Sequence, residues 1–297
     1  MKTALLFPGQ GSQSLKMIPS AKSLNSFYRY YQETCDLLRT DLFKTIETDP
    51  NRINSNRLSS AMTILLSALH LDQFLETHPR PNYFAGYSVG QWTALYAAGG
   101  ITFSDLIIIT SARAEFMDQC MKNIHSGMLA VIGLDLDDII RICQEMREQQ
   151  HSLWISNYNA PGQVSLAGTA HALSMVESKL SALGAKKIIH VPVAGAWHSP
   201  FLLSASTHFL KFLERYQILL DTNIVINNVD GKFLPTEKSD LHQALANQIS
   251  SPVMWEQGIN TLINLHSTNF YEIGFGNMLT KYGFFINRKL NFIPGLN

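Results

Sequence analysis

Residues 83–104 carry no charged side chain, and this stretch restricts the fold more than any other part of the chain. A segment of that length and apolarity either crosses a membrane or lies buried in a protein core. Its punctuation favours the core: Gly86, Gly90, Gly99 and Gly100 interrupt it, and it contains the polar Ser88 and Gln91. That spacing predicts a short strand over 83–85, a sharp turn, and a helix over 89–98 stopped by Gly99-Gly100.

The turn itself reads Gly86-Tyr87-Ser88-Val89-Gly90, a G-x-S-x-G pattern between a strand and a helix. In that setting the serine sits on a strained turn, because glycines on either side let backbones approach where a Cβ would clash. The helix N-terminus behind it favours developing negative charge. The same glycines also suit a plain packing turn, so chemistry requires a base as well. Among the ten histidines, His198 stands out. It lies in Gly195-Ala196-Trp197-His198-Ser199-Pro200, directly after a predicted strand and at a predicted junction between two units, where ligand clefts often form. His125, His151 and His190 are less well placed.

Composition narrows the partners. Lys+Arg and Asp+Glu both total 23, so the net charge is zero, and no basic stripe of the kind that displaces nucleic-acid counterions is present. Cys35, Cys120 and Cys143 lie far apart, without the paired spacing of a disulfide framework or a zinc site. The apolar run at 1–7 is shorter than the core of a signal peptide. The expectation is a soluble, cytoplasmic protein that uses no metal, nucleic acid or membrane, with a monomer as the default.

Along the chain, 3–7 reads as a buried strand ending in Pro8-Gly9 and 58–74 as a buried helix. Residues 104–121 read as a helix with Ser104 as N-cap. The next part alternates differently: strand 128–132, helix 137–149, strands 153–156 and 164–167, helix 169–183 and strand 187–191. This βαββαβ order is the ferredoxin-like split unit. It predicts a small domain over 123–194 inserted into a larger α/β domain formed by 1–122 and 195–297. Helix 199–216, strand 223–228 with a turn at Asp230-Gly231, helix 241–249 and strand 269–273 complete the larger unit. Alternating strands and helices predict a parallel sheet covered on both faces.

Further motifs carry a resemblance. Phe7-Pro8-Gly9-Gln10-Gly11-Ser12-Gln13, the serine turn, Ala112-Arg113-Ala114 with Met117, and the stretch Asn157 to Val164 follow one another in order. Ala196-Trp197-His198-Ser199, Asn228-Val229-Asp230-Gly231, Gln248 and Ser251-Pro252-Val253 continue the series. Together they resemble the malonyl-CoA:acyl-carrier-protein transacylases, including standalone acyltransferases of polyketide synthesis, over nearly the whole chain.

The resemblance implies an α/β-hydrolase-like domain with an inserted ferredoxin-like one, and ping-pong acyl transfer without a cofactor. Ser88 is then the nucleophile and His198 the base, with the main-chain carbonyl of Gln248 orienting the imidazole. The backbone amides of Gln10 and Val89 form the oxyanion hole. Arg113 pairs with the free malonyl carboxylate, which an acetyl group lacks; on the residues alone, a surface ion pair on a helix is the favoured reading. Met117 and Trp197 line the acyl site, Trp197 crowding a 2-methyl branch unless it is simply core. The implied partners are a CoA thioester and an acyl carrier protein, with Lys186, Lys187, Lys281 and Arg288 as candidate rim cations for an acidic carrier. Tyr87, Ser60, Gln91 and Phe275 depart from the usual pattern and point to a specialised branch. An acyl hydrolase of the same fold and a non-catalytic docking subunit are the competing readings; the first has no use for Arg113, and the second no need of Ser88 and His198.

Overall fold

The computed structural model describes residues 2–295. The chain begins with β1 (Lys2–Phe7), whose side chains alternate between two cores. Leu5 and Phe7 enter one and Ala4 and Leu6 the other, so a strand buried on both faces reads as an unbroken apolar run. Four short helical pieces follow: α1 (Met17–Lys22), α2 (Phe27–Leu38), α3 (Leu42–Thr48) and the 3-10 turn Pro50–Asn54. Then comes α4 (Asn56–Thr77), long and apolar enough to cross a membrane but mostly packed inside the protein as a core helix.

β2 (Tyr83–Gly86), α5 (Gly90–Ala97) and α6 (Phe103–Met121) form the strand–turn–helix region and the helix behind it. Helix α6 is capped by Thr102, whose side chain accepts from the Asp105 amide. The predicted cap Ser104 is the second residue inside the helix, where it donates to Glu33 on α2; the cap is Thr102, two residues earlier and in extended conformation.

Next come β3 (Ser126–Ile132), α7 (Leu136–Glu148), β4 (Leu153–Ala160), β5 (Gln163–Thr169), α8 (Ala170–Ala182) and β6 (Lys187–His190). They form an antiparallel sheet in the order β4-β5-β3-β6. Leu129, Val131, Leu153 and Leu166 pack against Ile139, Ile142, Val176 and Leu180 of α7 and α8 on one face. The other face turns toward the serine.

The chain returns through the 3-10 turn Pro200–Leu202 into α9 (Leu203–Leu213), a shorter helix than the predicted 199–216 because Pro200 opens the segment with a tight turn. Of the predicted strand 223–228, only Val225 and Ile226 pair, through isolated bridges to Phe84 and Phe233. Phe84 donates to the Ile224 carbonyl and accepts from the Ile226 amide, after which the chain bends toward the serine turn. α10 (Lys238–Asn247), α11 (Trp255–Asn264), β7 (Ser267–Glu272), α12 (Met278–Ile286) and β8 (Asn291–Ile293) finish the fold. The larger sheet is parallel, in the order β2-β1-β7-β8. Trp255, Ile259 and Leu279 of α11 and α12 cover one face, and the large core containing α4, α5 and α9 covers the other.

Candidate active site

The serine turn is built at the carboxyl ends of β1 and β2. Ser88 has φ 54°, the left-handed region that costs a non-glycine residue about 1–2 kcal/mol. Glycine on either side is sterically required: a Cβ on Gly86 would lie 2.0 Å from the Gly90 carbonyl oxygen, and one on Gly90 would lie 2.2 Å from that of Phe7. Hydrogen bonds from distant segments hold the strained residue. The Ser88 amide donates to Asn228 Oδ1 at 2.8 Å, and Gln248 Nε2 donates to the Ser88 carbonyl at 2.6 Å. Asn228 Nδ2 donates to the Gly86 carbonyl at 2.7 Å, while its own amide donates to Gln91 Oε1 at 2.7 Å.

His198 also has positive φ, 57°, and is almost fully buried. Its Nε2 lies 2.6 Å from Ser88 Oγ and its Nδ1 lies 2.9 Å from the main-chain oxygen of Gln248. A carbonyl can only accept, so Nδ1 carries the proton and Nε2 is free to accept from the serine. Burial first, and the nearby Arg113 charge second, lower the imidazole pKa to about 3. The ring is therefore neutral at ordinary pH, as a general base must be. Its loop is pinned by Ser199 Oγ donating to the Ala196 carbonyl at 2.6 Å.

Arg113 on α6 is fully buried, not a surface ion-pair partner. Its Nε donates to Gln248 Oε1 at 3.2 Å, and its two terminal nitrogens have no hydrogen-bond partner among the described residues. Burial lowers its pKa to about 10, which leaves it charged at neutral pH. Met117, one turn further along α6, is buried in the main core, as is Trp197, whose ring packs so closely that a Cβ on Gly195 would lie 2.7 Å from it.

Gln10 reaches the site from the loop after β1. Its side-chain amide donates toward Ser59 Oγ at 2.6 Å, Asn56 Oδ1 at 2.9 Å and Ser60 Oγ at 3.1 Å on α4, which fixes the loop's backbone. Ser60 is thus a buried anchor for Gln10. Val89 is the N-cap position of α5, where main-chain amides have no partner within the helix. Gln10, Ser88, His198 and Trp197 line a cavity of about 280 Å3, together with Asn157 and Ser165 of the antiparallel sheet. Through Ala130, Ile189, Met278 and Tyr282 it is continuous with a groove of about 1250 Å3. Lys186, Lys187 and Lys281 line that groove, whereas Arg288 is not part of it and stands over the Phe284 ring at 5.0 Å.

Sequence reasoning missed the roles of Asn228, of Gln91 and of the Gln248 side chain. Asn228 stood out only as part of a motif, and Gln91 only as a departure; nothing local shows that either reaches the serine turn. Phe275 simply packs against the main core.

No family model matches the chain. It is 32% identical over 300 residues to the malonyl CoA-acyl carrier protein transacylase of Bacillus subtilis strain 168, an alignment spanning 98% of this chain and 92% of the relative. The acyl-carrier-protein S-malonyltransferase of Burkholderia pseudomallei superimposes with a TM-score of 0.93 at 27% identity, covering 100% of this chain and 97% of that one. A malonyl-transacylase, PlMCAT, solved in complex with AntF, its type II polyketide synthase acyl-carrier protein, superimposes with a TM-score of 0.92 at 27% identity, covering 99% and 96%.

Proposed function

The chain belongs to the malonyl CoA-acyl carrier protein transacylase family, and from that premise we propose that Ser88 and His198 transfer malonyl from CoA to the phosphopantetheine thiol of an acyl carrier protein. The observation that carries this reading is the 2.6 Å contact between Ser88 Oγ and a neutral, carbonyl-oriented His198, beside a buried guanidinium with unpaired donors.

Ser88 Oγ attacks the thioester carbonyl and its proton passes to His198 Nε2. The backbone amides of Gln10 and Val89 hold the oxyanion, donors whose individual loss costs about 10²–10³ in rate. The tetrahedral adduct collapses, the C–S bond breaks, and the CoA sulfur leaves with the proton from His198. A malonyl-serine ester remains. The carrier thiol then enters and His198 takes its proton. The thiolate attacks the ester carbonyl, the C–O bond to Ser88 breaks, the imidazolium returns the proton to Ser88 Oγ, and malonyl leaves as the carrier thioester. Gln248 keeps the imidazole in one tautomer through a carbonyl in place of a carboxylate. Arg113 pairs with the malonyl carboxylate, and leaving it buried and unpaired disfavours acetyl and longer neutral acyl groups. Trp197 lines the cavity and crowds a 2-methyl branch, while Met117 supports the acyl end from the core without lining the cavity.

Residues 1–122 and 195–297 are read as an α/β-hydrolase-like domain and 123–194 as a ferredoxin-like insertion, a reading supported by the β4-β5-β3-β6 order. The thioester arm enters along the groove between them. Lys186, Lys187 and Lys281 face an acidic carrier there. The enzyme acts as a cytoplasmic monomer in fatty-acid or polyketide synthesis, without metal, cofactor, nucleic acid or membrane.

Intact-protein mass spectrometry after exposure to a panel of acyl-CoAs tests the reading. The expected result is a malonyl adduct on Ser88 that is discharged by a carrier thiol much faster than by water. Equal discharge by water would make the protein a hydrolase, and complete absence of an adduct would make it a non-catalytic subunit.

A further inference from the structure

The tyrosine preceding the nucleophile packs its ring in the larger unit but sends its hydroxyl across to the antiparallel sheet. The Tyr87 hydroxyl donates to Asn159 Oδ1 on β4 at 2.6 Å, and Asn159 Nδ2 donates to Ser165 Oγ on β5 at 3.2 Å. All three residues are buried. The ring is clamped in place. Its centroid lies 5.6 Å from that of Trp255 in an edge-on contact and 6.1 Å from that of Tyr282, and a Cβ on Gly9 would lie 3.0 Å from its Cδ1 atom.

The same strand makes a second connection. The Tyr158 amide donates to the Val253 carbonyl at 2.9 Å, and the Val253 amide donates to the Ser156 carbonyl at 2.8 Å. Val253 lies in the segment that also carries Gln248, whose main-chain oxygen orients His198. Four consecutive residues of β4, Ser156 to Asn159, therefore back both the nucleophile turn and the segment that holds the base.

Resting on the transferase reading above, we propose that Tyr87 and Asn159 are positioning residues. Their hydrogen bond uses the antiparallel sheet to set Ser88 against His198. Neither side chain takes part in bond making; Tyr87 acts through its peptide link to Ser88 and through its carbonyl, which accepts from the Gly90 amide at 2.9 Å. A phenylalanine would fill the same space but leave Asn159 Oδ1 buried without its donor. The strand and the turn would then relax separately, and small misplacements of reacting groups are costly.

The test is a double-mutant cycle read at the acylation step, with malonyl-serine formation followed by rapid quench and intact mass. Tyr87→Phe is expected to slow ester formation about tenfold while the KM for malonyl-CoA stays within about twofold. Asn159→Ala is expected to match that loss, and the double variant to be no slower than the slower single variant. Losses that multiply independently, a raised KM with an unchanged rate, or full activity in Tyr87→Phe would each overturn the proposal. If Asn159→Ala does not fold, Ser165→Ala removes the outer link, with an expected loss of about threefold in the same step; no loss there would count equally against it. The wild-type protein keeps the two readings separate. If it forms no ester, the transferase reading fails; if it does, only the variants bear on the positioning role.

Discussion

The serine turn and the buried guanidinium of Arg113 are joined through Gln248 yet are satisfied very differently. Around Ser88 the amide, the carbonyl and the carbonyl of Gly86 are all hydrogen-bonded by side chains from elsewhere in the chain, and the residue is held in a strained conformation. Arg113 is fully buried, unlike the partly exposed Ser88, and among the described residues makes a single hydrogen bond, through Nε. The turn has its hydrogen bonds in place, whereas the guanidinium is a buried charge with open donors, which on the proposed reading a substrate carboxylate would pair. On the proposed reading, reactivity is preorganised and selectivity is deferred to binding. Gln248 joins the two regions, accepting from Arg113 with Oε1, donating to the Ser88 carbonyl with Nε2 and accepting from His198 with its main-chain oxygen.

The largest expected effect breaks the first region. Ser88→Ala should abolish the malonyl adduct and lower transfer by about 10⁴-fold or more, since the remaining groups can only orient and polarise. Intact mass after exposure to malonyl-CoA reads this directly, and an adduct that persists would move the nucleophile elsewhere. The second region breaks differently. Arg113→Ala should leave Ser88 able to form esters but raise the acetyl-to-malonyl ratio by about 10²-fold, the range for removing a group built to recognise one polar substituent. A mixture of the two CoA thioesters in one reaction measures it, and an unchanged ratio would return Arg113 to a structural role.

The two regions also differ in how far they were legible. The turn announced itself because its demands are local and steric: nothing but glycine fits at 86 and 90, and a strand and a helix must flank the serine. The βαββαβ order was readable for a similar reason, through short apolar runs at strand and helix spacing. Arg113 was ambiguous on spacing, since burial depends on packing that α6 alone does not reveal, and only the family resemblance gave it a role. Asn228 reaches a serine 140 positions away, and no local signal encodes such a bond. The helices α2, α11 and α12 went unread for want of a strong stop or start signal. The Ser104 cap failed because Thr102, two residues earlier, offers an equally good acceptor and the helix starts there.

The link between the regions can be cut without touching either directly. Gln248→Leu keeps the main-chain carbonyl that orients His198 but removes both side-chain bonds. The expected loss is about tenfold in the acylation rate, with a smaller change in acyl preference, because the serine carbonyl and Arg113 each lose one neighbour. Rate and preference measured on the same variant would show whether the residue couples them. A loss of preference alone would mean that the turn needs no help from Gln248.

The smallest effect concerns protons. In the folded protein His198 has its pKa lowered to about 3, while in the unfolded chain an imidazole titrates near about 6.5. Between those values the unfolded state binds a proton that the folded state does not, so stability contributed by the neutral ring is present above about pH 6.5 and is lost as pH falls toward 3. The slope is at most about 1.4 kcal/mol per pH unit, measurable by chemical denaturation from pH 7 down toward pH 3, the lower part of which is where a change in the folded pKa shows. Arg113→Ala sharpens the comparison here as well. Burial, the larger cause, remains, but the neighbouring positive charge is gone, so the protonated imidazole becomes less unfavourable and its pKa rises. The variant should therefore lose less stability on acidification than the wild type. His198→Gln should lose the imidazole's share in either background. A wild type and an Arg113→Ala variant with the same pH slope would show that the guanidinium and the base do not sense each other, and that the two regions are neighbours only in space.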